Sequence, residues 1–538
     1  MMRKELWFGR SRRRASGVSR RDVFKGGAIA AFGLPGISPA RAATGKFEVG
    51  PNLYQSIGVR PIINCKGTFT IISGSLSLPE VKRAMDEAGS HYVHMDELMD
   101  GVGKRLAQLT GAEWGIVSAG CAAGMTNVTA ACLAGTDPEK MQRLPNLAGL
   151  KSEVIAPAYS RNVYDHAIRM LGVKIVEVSS PEQLESAFNE RTAMVYILAG
   201  PGDDGPLGTE AVSSVARRKG VPVFVDAAAE DLTIPNLHLK RGASVVAYSG
   251  GKCLRGPQCA GLLLGEKNLL QAAWANSAPH HAFGRSLKVG KEEIMGMLTA
   301  VEMWTRRDHQ AEWNQWQSWL DYISVQVTKA PGVTTRTVQP DSLSNHAPSL
   351  VIAWNPDGLG ITGREVAKHL YDTEPRIIVG DPEGRRASEG ETAIGIMPYM
   401  MNPGDEKVAA DRIYAVLSKP PQRETRFVGF GSPVSAAGRW DLEIQFLRGS
   451  ARHTVMLEQS GSVLTGTHEG EFLSGDLAGT VEGDHLHFRT SHRIEGTSLS
   501  YTFDGKVDGD AFSGTVSLGE YGEAQFSGHR HAYGGHDA

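Results

Sequence analysis

The chain has 538 residues, too many for one ordinary hydrophobic core, so two or three domains are expected. Its composition, 41% apolar and 21% charged with a formal charge of −3, is that of a globular protein, and no run approaches the roughly 20 apolar residues of a membrane span, which excludes membrane insertion through a helix. The five cysteines, Cys65, Cys121, Cys132, Cys253 and Cys259, are odd in number and form neither a CxxC pair nor a metal-ligand spacing, so they read as mostly buried thiols and not as a disulfide framework.

Residues 1–42 read as a targeting segment, to be set aside from the fold. Ser19-Arg20-Arg21-Asp22-Val23-Phe24-Lys25 is a twin-arginine pattern, followed by a mildly apolar stretch from Gly26 to Ile37 and a small-x-small cleavage site, Ala40-Arg41-Ala42. The expectation is a protein carried, already folded, by the twin-arginine export machinery to the periplasm or beyond, a route that suits an enzyme loading a cofactor in the cytoplasm. Without these residues the chain carries 46 basic and 57 acidic residues, a net charge of −11, and no basic run, so no nucleic-acid partner is expected.

Residues 43 to about 80 form an N-terminal arm, with an edge strand and turn across Asn64, Gly67 and Thr70. Helical patterns run from Leu78, with Pro79 near its start, through Met85 and Ala88, and from near Met95 through Leu98, Val102, Leu106 and Leu109. Between Glu113 and Thr126 a short apolar strand runs into a small-residue turn, then an Ala-rich helix to Ala134. Small residues let the backbone approach an anion, and a helix start offers free N–H groups at a positive dipole end, so Gly120, Cys121 and Ala122 are assigned to a phosphate.

A strand at Ser152 to Pro157 and a helix beginning at Asn162 to Arg169 follow. The pattern then alternates: strand Val173 to Val178, helix from Pro181, strand Ala193 to Ala199, helix Glu210 to Lys219, strand Val221 to Asp226. Such alternation predicts an α/β fold, a mostly parallel sheet sandwiched by helices, with its ligand at the carboxyl ends of strands, where Ser118, Asp226 and Ser249 fall.

The next apolar run, Val245 to Ser249, ends in two glycines and Lys252, before a second run from Ala260 to Gly265. A lysine held against strands and partly desolvated has a lowered pKa and can form a Schiff base with an aldehyde; the bland alternative is a turn lysine between two buried strands. Asp226 ends a buried strand 26 residues earlier, either as a helix cap or as a functional acid. Pyridoxal phosphate (PLP) chemistry needs this pair, a lysine to hold the aldehyde and an aspartate to keep the pyridine nitrogen protonated.

The wording Ser249-Gly250-Gly251-Lys252-x-Leu254-Arg255-Gly256-Pro257-Gln258, with Val225-Asp226-Ala227-Ala228-Ala229-Glu230 upstream, resembles the selenocysteine synthase-like family of fold type I PLP enzymes, which includes seryl-tRNA selenium transferases and ammonia-lyases of amino sugar acids. The resemblance runs from about Ile57 to about Leu417. It implies PLP as cofactor, Lys252, Asp226 and Ser249 among its ligands, and a homodimer or larger even oligomer, since fold type I sites are usually completed by a second subunit. The N-x-x-G-x-x-T opening of the family matches Asn64, Gly67 and Thr70, which places Asn64 and Thr70 at the cleft. Relatives stack a His on the pyridine ring from just before an Arg-Asn pair; this chain has Ser160 before Arg161 and Asn162, so Tyr159 is the expected substitute, with His166 as a second candidate. The family's G-R-x-x-K-V-G-K-E run matches Gly284, Arg285, Lys288 and Lys291, and puts Arg285 at the active-site rim.

A single helix is expected from Ile294 to about Val327, its Trp304, Trp313, Trp316 and Trp319 serving core and interdomain packing. Residues 330 to 417 read as a small α+β domain with strands near Ser349 to Trp354 and Arg376 to Val379 around a helix from Gly363 to Tyr371. Arg376 is a candidate to grip a substrate carboxylate in bidentate geometry. Lys419-Pro420-Pro421 marks a boundary, after which short alternating runs separated by Gly, Asp and Ser turns predict about eight antiparallel strands in a small barrel or sandwich. Eight of the 17 histidines fall there, with His485 and His487 on one strand face and His529 with His531, but no metal is expected because no Cys, Asp or Glu completes a ligand set.

The domain division is therefore 1–42 signal, 43–329 arm and large PLP-binding domain, 330–420 small domain, and 421–538 β-domain. The expected function is α,β-elimination of the ammonia-lyase type on a small amino acid or amino sugar acid. An aminotransferase or racemase, a selenium transferase, and a non-catalytic binding protein on the same fold are the alternatives.

Overall fold

The computed structural model describes residues 47, 49–200, 202–421 and 432–532; the twin-arginine pattern, its cleavage site and His536 lie outside these residues. The chain divides into two compact units, Met1–Pro61 and Ile62–Ala538. The described part of the first is a series of turns containing one 3-10 turn, Gln55–Ile57.

The second unit opens with strand β1 (Ile63–Cys65) and helices α1 (Pro79–Gly89) and α2 (Met95–Thr110). Pro79 sits at the first turn of α1, where its missing N–H has no partner to lose. Strands β2 (Trp114–Ser118), β3 (Glu153–Pro157), β4 (Lys174–Val178), β5 (Thr192–Leu198), β6 (Val223–Asp226), β7 (Val245–Ser249) and β8 (Gly261–Gly265) form one sheet in the order β2-β8-β7-β6-β5-β3-β4. Pairing is parallel except on both sides of β8. Helix α3 (Cys121–Ala134) is buried along most of its length, and the central strands are buried on both faces, which is why they read as continuous apolar runs and not as alternating ones.

Two expected helices differ. The helix expected at Asn162 to Arg169 is a 3-10 turn, Val163–Asp165, and one α-helical turn, His166–Arg169: the Asn162 side chain accepts from the Tyr164 N–H and stabilises a local turn instead. The long helix expected from Ile294 to Val327 is two, Lys291–Trp304 and His309–Val327; the Asp308 side chain accepts from Ala311 N and caps the second.

Next come β9 (Val333–Val338), β10 (Ser349–Trp354), β11 (Ile377–Val379) and β12 (Thr392–Ile396). The order β12-β10-β9 makes an antiparallel sheet, while β11 pairs in parallel with β1. A second core of Trp354, Ile352, Ile394 and Ile413 lies under the helices Gly363–Asp372 and Asp405–Ser418.

The last eight strands are β13 (Gly438–Gln445), β14 (Ser450–Ser460), β15 (Val463–Glu469), β16 (Ser474–Glu482), β17 (His485–Ile494), β18 (Thr497–Asp508), β19 (Ala511–Ser517) and β20 (Glu523–Arg530). They form a closed up-and-down barrel, because β13 pairs antiparallel with both β14 and β20. Trp440, Phe488, Phe503 and Phe512 fill its interior.

One end of that interior is polar. His453, His468 and His492 are buried and hydrogen-bonded in series, His453 Nδ1 to His468 Nε2 at 2.7 Å and His468 Nδ1 to His492 Nε2 at 2.9 Å. Burial, with the two neighbouring rings, lowers the pKa of His468 to about 3. The folded chain holds this ring neutral while the unfolded chain protonates it below about pH 6.5, so stability present above that value is lost as pH falls toward 3, at up to about 1.4 kcal/mol per pH unit for this one ring. Urea midpoints of the whole chain, read by amide exchange in β14, β15 and β17, are expected to fall between about pH 7 and about pH 5. His468→Phe should flatten that slope, and a midpoint indifferent to pH in the native chain refutes the account.

Three other barrel histidines reach acids that sequence spacing did not reveal. His485 Nε2 and His487 Nδ1 both reach Asp504, at 2.8 and 3.2 Å, and His531 reaches Asp441 at 2.6 Å. Among the described residues no group of three or more His, Cys, Asp or Glu is arranged to hold a metal ion.

Candidate active site

Strands β6 and β7 are neighbours and end at the same edge of the sheet, with Asp226 opposite Ala247. Ser249 closes β7 opposite Gly261 of β8. Gly250 is needed in the turn that follows, since an added Cβ would stand 2.7 and 2.8 Å from the carbonyl oxygens of Pro257 and Ala260. Lys252 emerges from this turn half-buried, and among the described residues no hydrogen bond or ion pair engages its amine. Its charge favours the ionised forms of Asp226 and Cys121.

The Asp226 carboxylate is almost fully buried. Its Oδ1 accepts from Ala228 N at 3.1 Å and from the Cys121 thiol at 3.4 Å, and its Oδ2 from the Tyr196 hydroxyl at 3.4 Å. Burial raises its pKa above the usual carboxylate value, outweighing these donors and Lys252. Burial and then Asp226 hold the Cys121 thiol protonated, with a pKa well above the ordinary one. All five cysteines are free thiols, those at 65, 132 and 253 also pushed up by burial.

Beside Asp226, α3 starts at Cys121 with no side chain capping it. Gly120 holds φ +91°, a conformation glycine accepts at little cost, and the space where a Cβ would point is open to 4 Å. The first-turn amides at Cys121 and Ala122 have no capping side chain and stand at the positive end of the helix dipole.

These features fit PLP. A buried carboxylate with only weak donors is costly, and a protonated ring nitrogen placed against it would restore its ionised form. The uncapped helix start would take the phosphate, and the unengaged amine the aldehyde.

The hydroxyl of Tyr196 accepts from Asn162 Nδ2 at 2.9 Å, so Asn162, Tyr196 and Asp226 form one chain of contacts. Tyr196 was not singled out from the sequence; its hydroxyl within the otherwise aliphatic strand β5 was the available signal. Tyr159 lies at the carboxyl end of β3, its hydroxyl donating to Leu207 O at 2.9 Å and its ring against Gly202. Ser160 is buried and accepts from Leu198 N, and His166 is exposed at the start of its short helix.

The remaining candidates are more scattered. Asn64 binds its own turn, accepting from Lys66 N and Gly67 N and donating to Gly67 O, while Thr70 is exposed in a 3-10 turn. This arm meets the lysine loop through Ser75 N to Gly251 O and Leu78 N to Arg255 O. Arg285 lies half-buried in the turn after Gly284. Arg376 stacks on the Tyr371 ring at 3.7 Å and its Nε donates to Tyr371 O. Trp304, Trp313, Trp316 and Trp319 do not simply fill a core: with Arg255 and Tyr399 they line a cavity of about 470 Å³ that borders the lysine loop at Cys253.

No family model matches the chain. D-glucosaminate-6-phosphate ammonia lyase of Salmonella typhimurium (strain 14028s / SGSC 2262) is 29% identical over 374 residues, which is 64% of this chain and 96% of that protein. The 5'-C-glycyluridine monooxygenase-decarboxylase of a Streptomyces species is 30% identical over 345 residues, 61% of this chain and 84% of the relative. L-seryl-tRNA(Sec) selenium transferase of Proteus mirabilis (strain HI4320) is 22% identical over 47% of this chain and 58% of its own length. A solved structure of D-glucosaminate-6-phosphate ammonia-lyase superposes with a TM-score of 0.61 at 26% identity, covering 69% of this chain and 99% of that one.

Proposed function

We propose, for a chain that belongs to the selenocysteine synthase-like family of fold type I PLP enzymes, that it catalyses α,β-elimination of the ammonia-lyase type on a small amino acid or amino sugar acid. Its fold is that of fold type I with an antiparallel eight-stranded barrel added, and its cofactor is PLP. The observation that carries the reading is the buried Asp226 beside an unengaged Lys252, at the ends of adjacent strands and next to an uncapped helix start.

When bound, PLP withdraws electrons from the substrate's α-carbon. Lys252 would hold it through its amine, and once released by the incoming substrate amine would take the proton from the α-carbon. Asp226 would keep the ring nitrogen protonated, and the turn at Gly120 with the amides of Cys121 and Ala122 would hold the phosphate. Tyr159, at the end of β3, is proposed as the ring-facing aromatic, and Arg285, Arg376, Asn64 and Thr70 as substrate-side residues. Phe69, Ile71, Leu76 and Tyr92 are exposed apolar residues of the arm and its neighbourhood, which supports a homodimer. The twin-arginine pattern supports export.

A second reading is oxidative decarboxylation, favoured by the 30% identity to the Streptomyces enzyme. Titrating the PLP-loaded chain with L- and D-amino acids and amino sugar acids separates the two. One substrate class is expected to perturb the visible absorption and to release ammonia and a 2-oxo acid in equal amounts without oxygen. Oxygen uptake with carbon dioxide release would establish the second reading in place of the first, and neither product from any class would sink both.

A further inference from the structure

Among the described residues, one turn of the barrel packs against the loop that follows β3. Between β17 and β18, Glu495 holds φ +49°, and its carboxylate pairs with Arg161 Nη2. Arg161 is only 6% exposed at its side chain and also pairs with Asp165 at 2.7 Å and Glu177 at 3.2 Å; Asp165, fully buried, is shared with Arg169 at 2.9 Å. The next residue, Gly496, lies so close to the same segment that an added Cβ would collide with the Asn162 carbonyl oxygen and the Asp165 carboxylate. An ion pair to a buried guanidinium and a backbone approach open only to glycine are independent observations, and they converge on residues 161–165.

That segment leads to the site. Asn162, whose carbonyl Gly496 covers, donates from its side chain to Tyr196, which in turn donates to Asp226. We propose that the β17–β18 turn is a latch: Glu495 and Gly496 fix the loop at 158–165, and through Asn162 and Tyr196 they position the Asp226 carboxylate. Glu495 and Gly496 are positioning residues contributed by the barrel, and the barrel is thereby a working part of the catalytic unit. The consequence for the cofactor rests on the PLP reading; the latch itself does not.

The test uses the full chain with Glu495→Ala, Glu495→Gln and Gly496→Val. Amide exchange in residues 158–165, measured without cofactor, is expected to quicken on the order of tenfold in Glu495→Ala, the loss of one charge-assisted bond to a mostly buried partner, and more in Gly496→Val. Glu495→Gln keeps an oxygen acceptor for Arg161 and should recover most of the protection. In the PLP-loaded chain, Glu495→Ala should weaken cofactor binding several-fold and shift the pH profile of the visible band, with Glu495→Gln between it and the native chain. Unchanged exchange in both Glu495→Ala and Gly496→Val overturns the latch. Faster exchange with an unaltered cofactor affinity and pH profile overturns the positioning of Asp226. A native chain that takes up no PLP counts against the enzyme reading, while exchange still decides the latch.

Discussion

Lys252→Ala is expected to lower turnover by on the order of 10³-fold or more and to abolish borohydride-stable attachment of PLP to the chain. The amine has two proposed duties, holding the cofactor and moving the α-proton, and no neighbouring side chain in the described residues can take over either. Cys121 and Cys253, which flank the site, are kept protonated by burial, and their thiols lack the reach and the basicity. Because Lys252 has no structural partner, the variant should fold with unchanged stability, so its melting temperature and its activity should separate. Full turnover in the variant would make Lys252 a turn residue. Retained physiological function with no turnover in either chain would favour a binding protein on the same fold.

Asp226→Asn is expected to cost on the order of 10²- to 10³-fold in turnover, as for loss of one preorganised charge in a dry site, while leaving the sheet intact. An amide oxygen can still accept from Ala228 N and Cys121, so the local geometry has donors to hold it. What is lost is the negative charge that would keep the ring nitrogen protonated. Burial of that charge is what raises the Asp226 pKa, so the cofactor-free variant should be at least as stable as the native chain. Melting curves without cofactor and kcat with it are the measurements. A lowered melting temperature with unaltered kcat would return Asp226 to a purely structural role.

These two side chains were legible in the sequence because each belongs to a short, contiguous pattern. A buried strand ending in an acid, two glycines and a lysine between apolar runs, and a small-residue turn into a helix are local features, and their order along the chain is the order in which a parallel sheet brings them to one edge. The alternating β-type runs of the last hundred residues were legible for the same reason, since side-chain alternation in a strand has a period of two.

Contacts between distant residues were not legible. Whether eight antiparallel strands make a barrel or a sandwich depends on one pairing, β13 with β20, between segments some eighty residues apart that neither strand's own pattern encodes. The buried series His453, His468 and His492 joins three different strands across the barrel interior, while His485 and His487, two residues apart on one strand, are exposed on its outer face. The helix break before His309 came from a single capping aspartate inside an otherwise continuous pattern. Tyr196, Asn162 and the barrel's Glu495 acquire meaning only together, because their partners lie 30, 34 and 334 residues away. The sequence by itself determined the class of fold, the cofactor and the residues at the strand ends, all carried by local periodicity and short motifs. Only the tertiary structure decided what surrounds Asp226 and what the barrel touches, because hydrogen bonds and ion pairs between side chains depend on distance in space and leave no periodic trace along the chain.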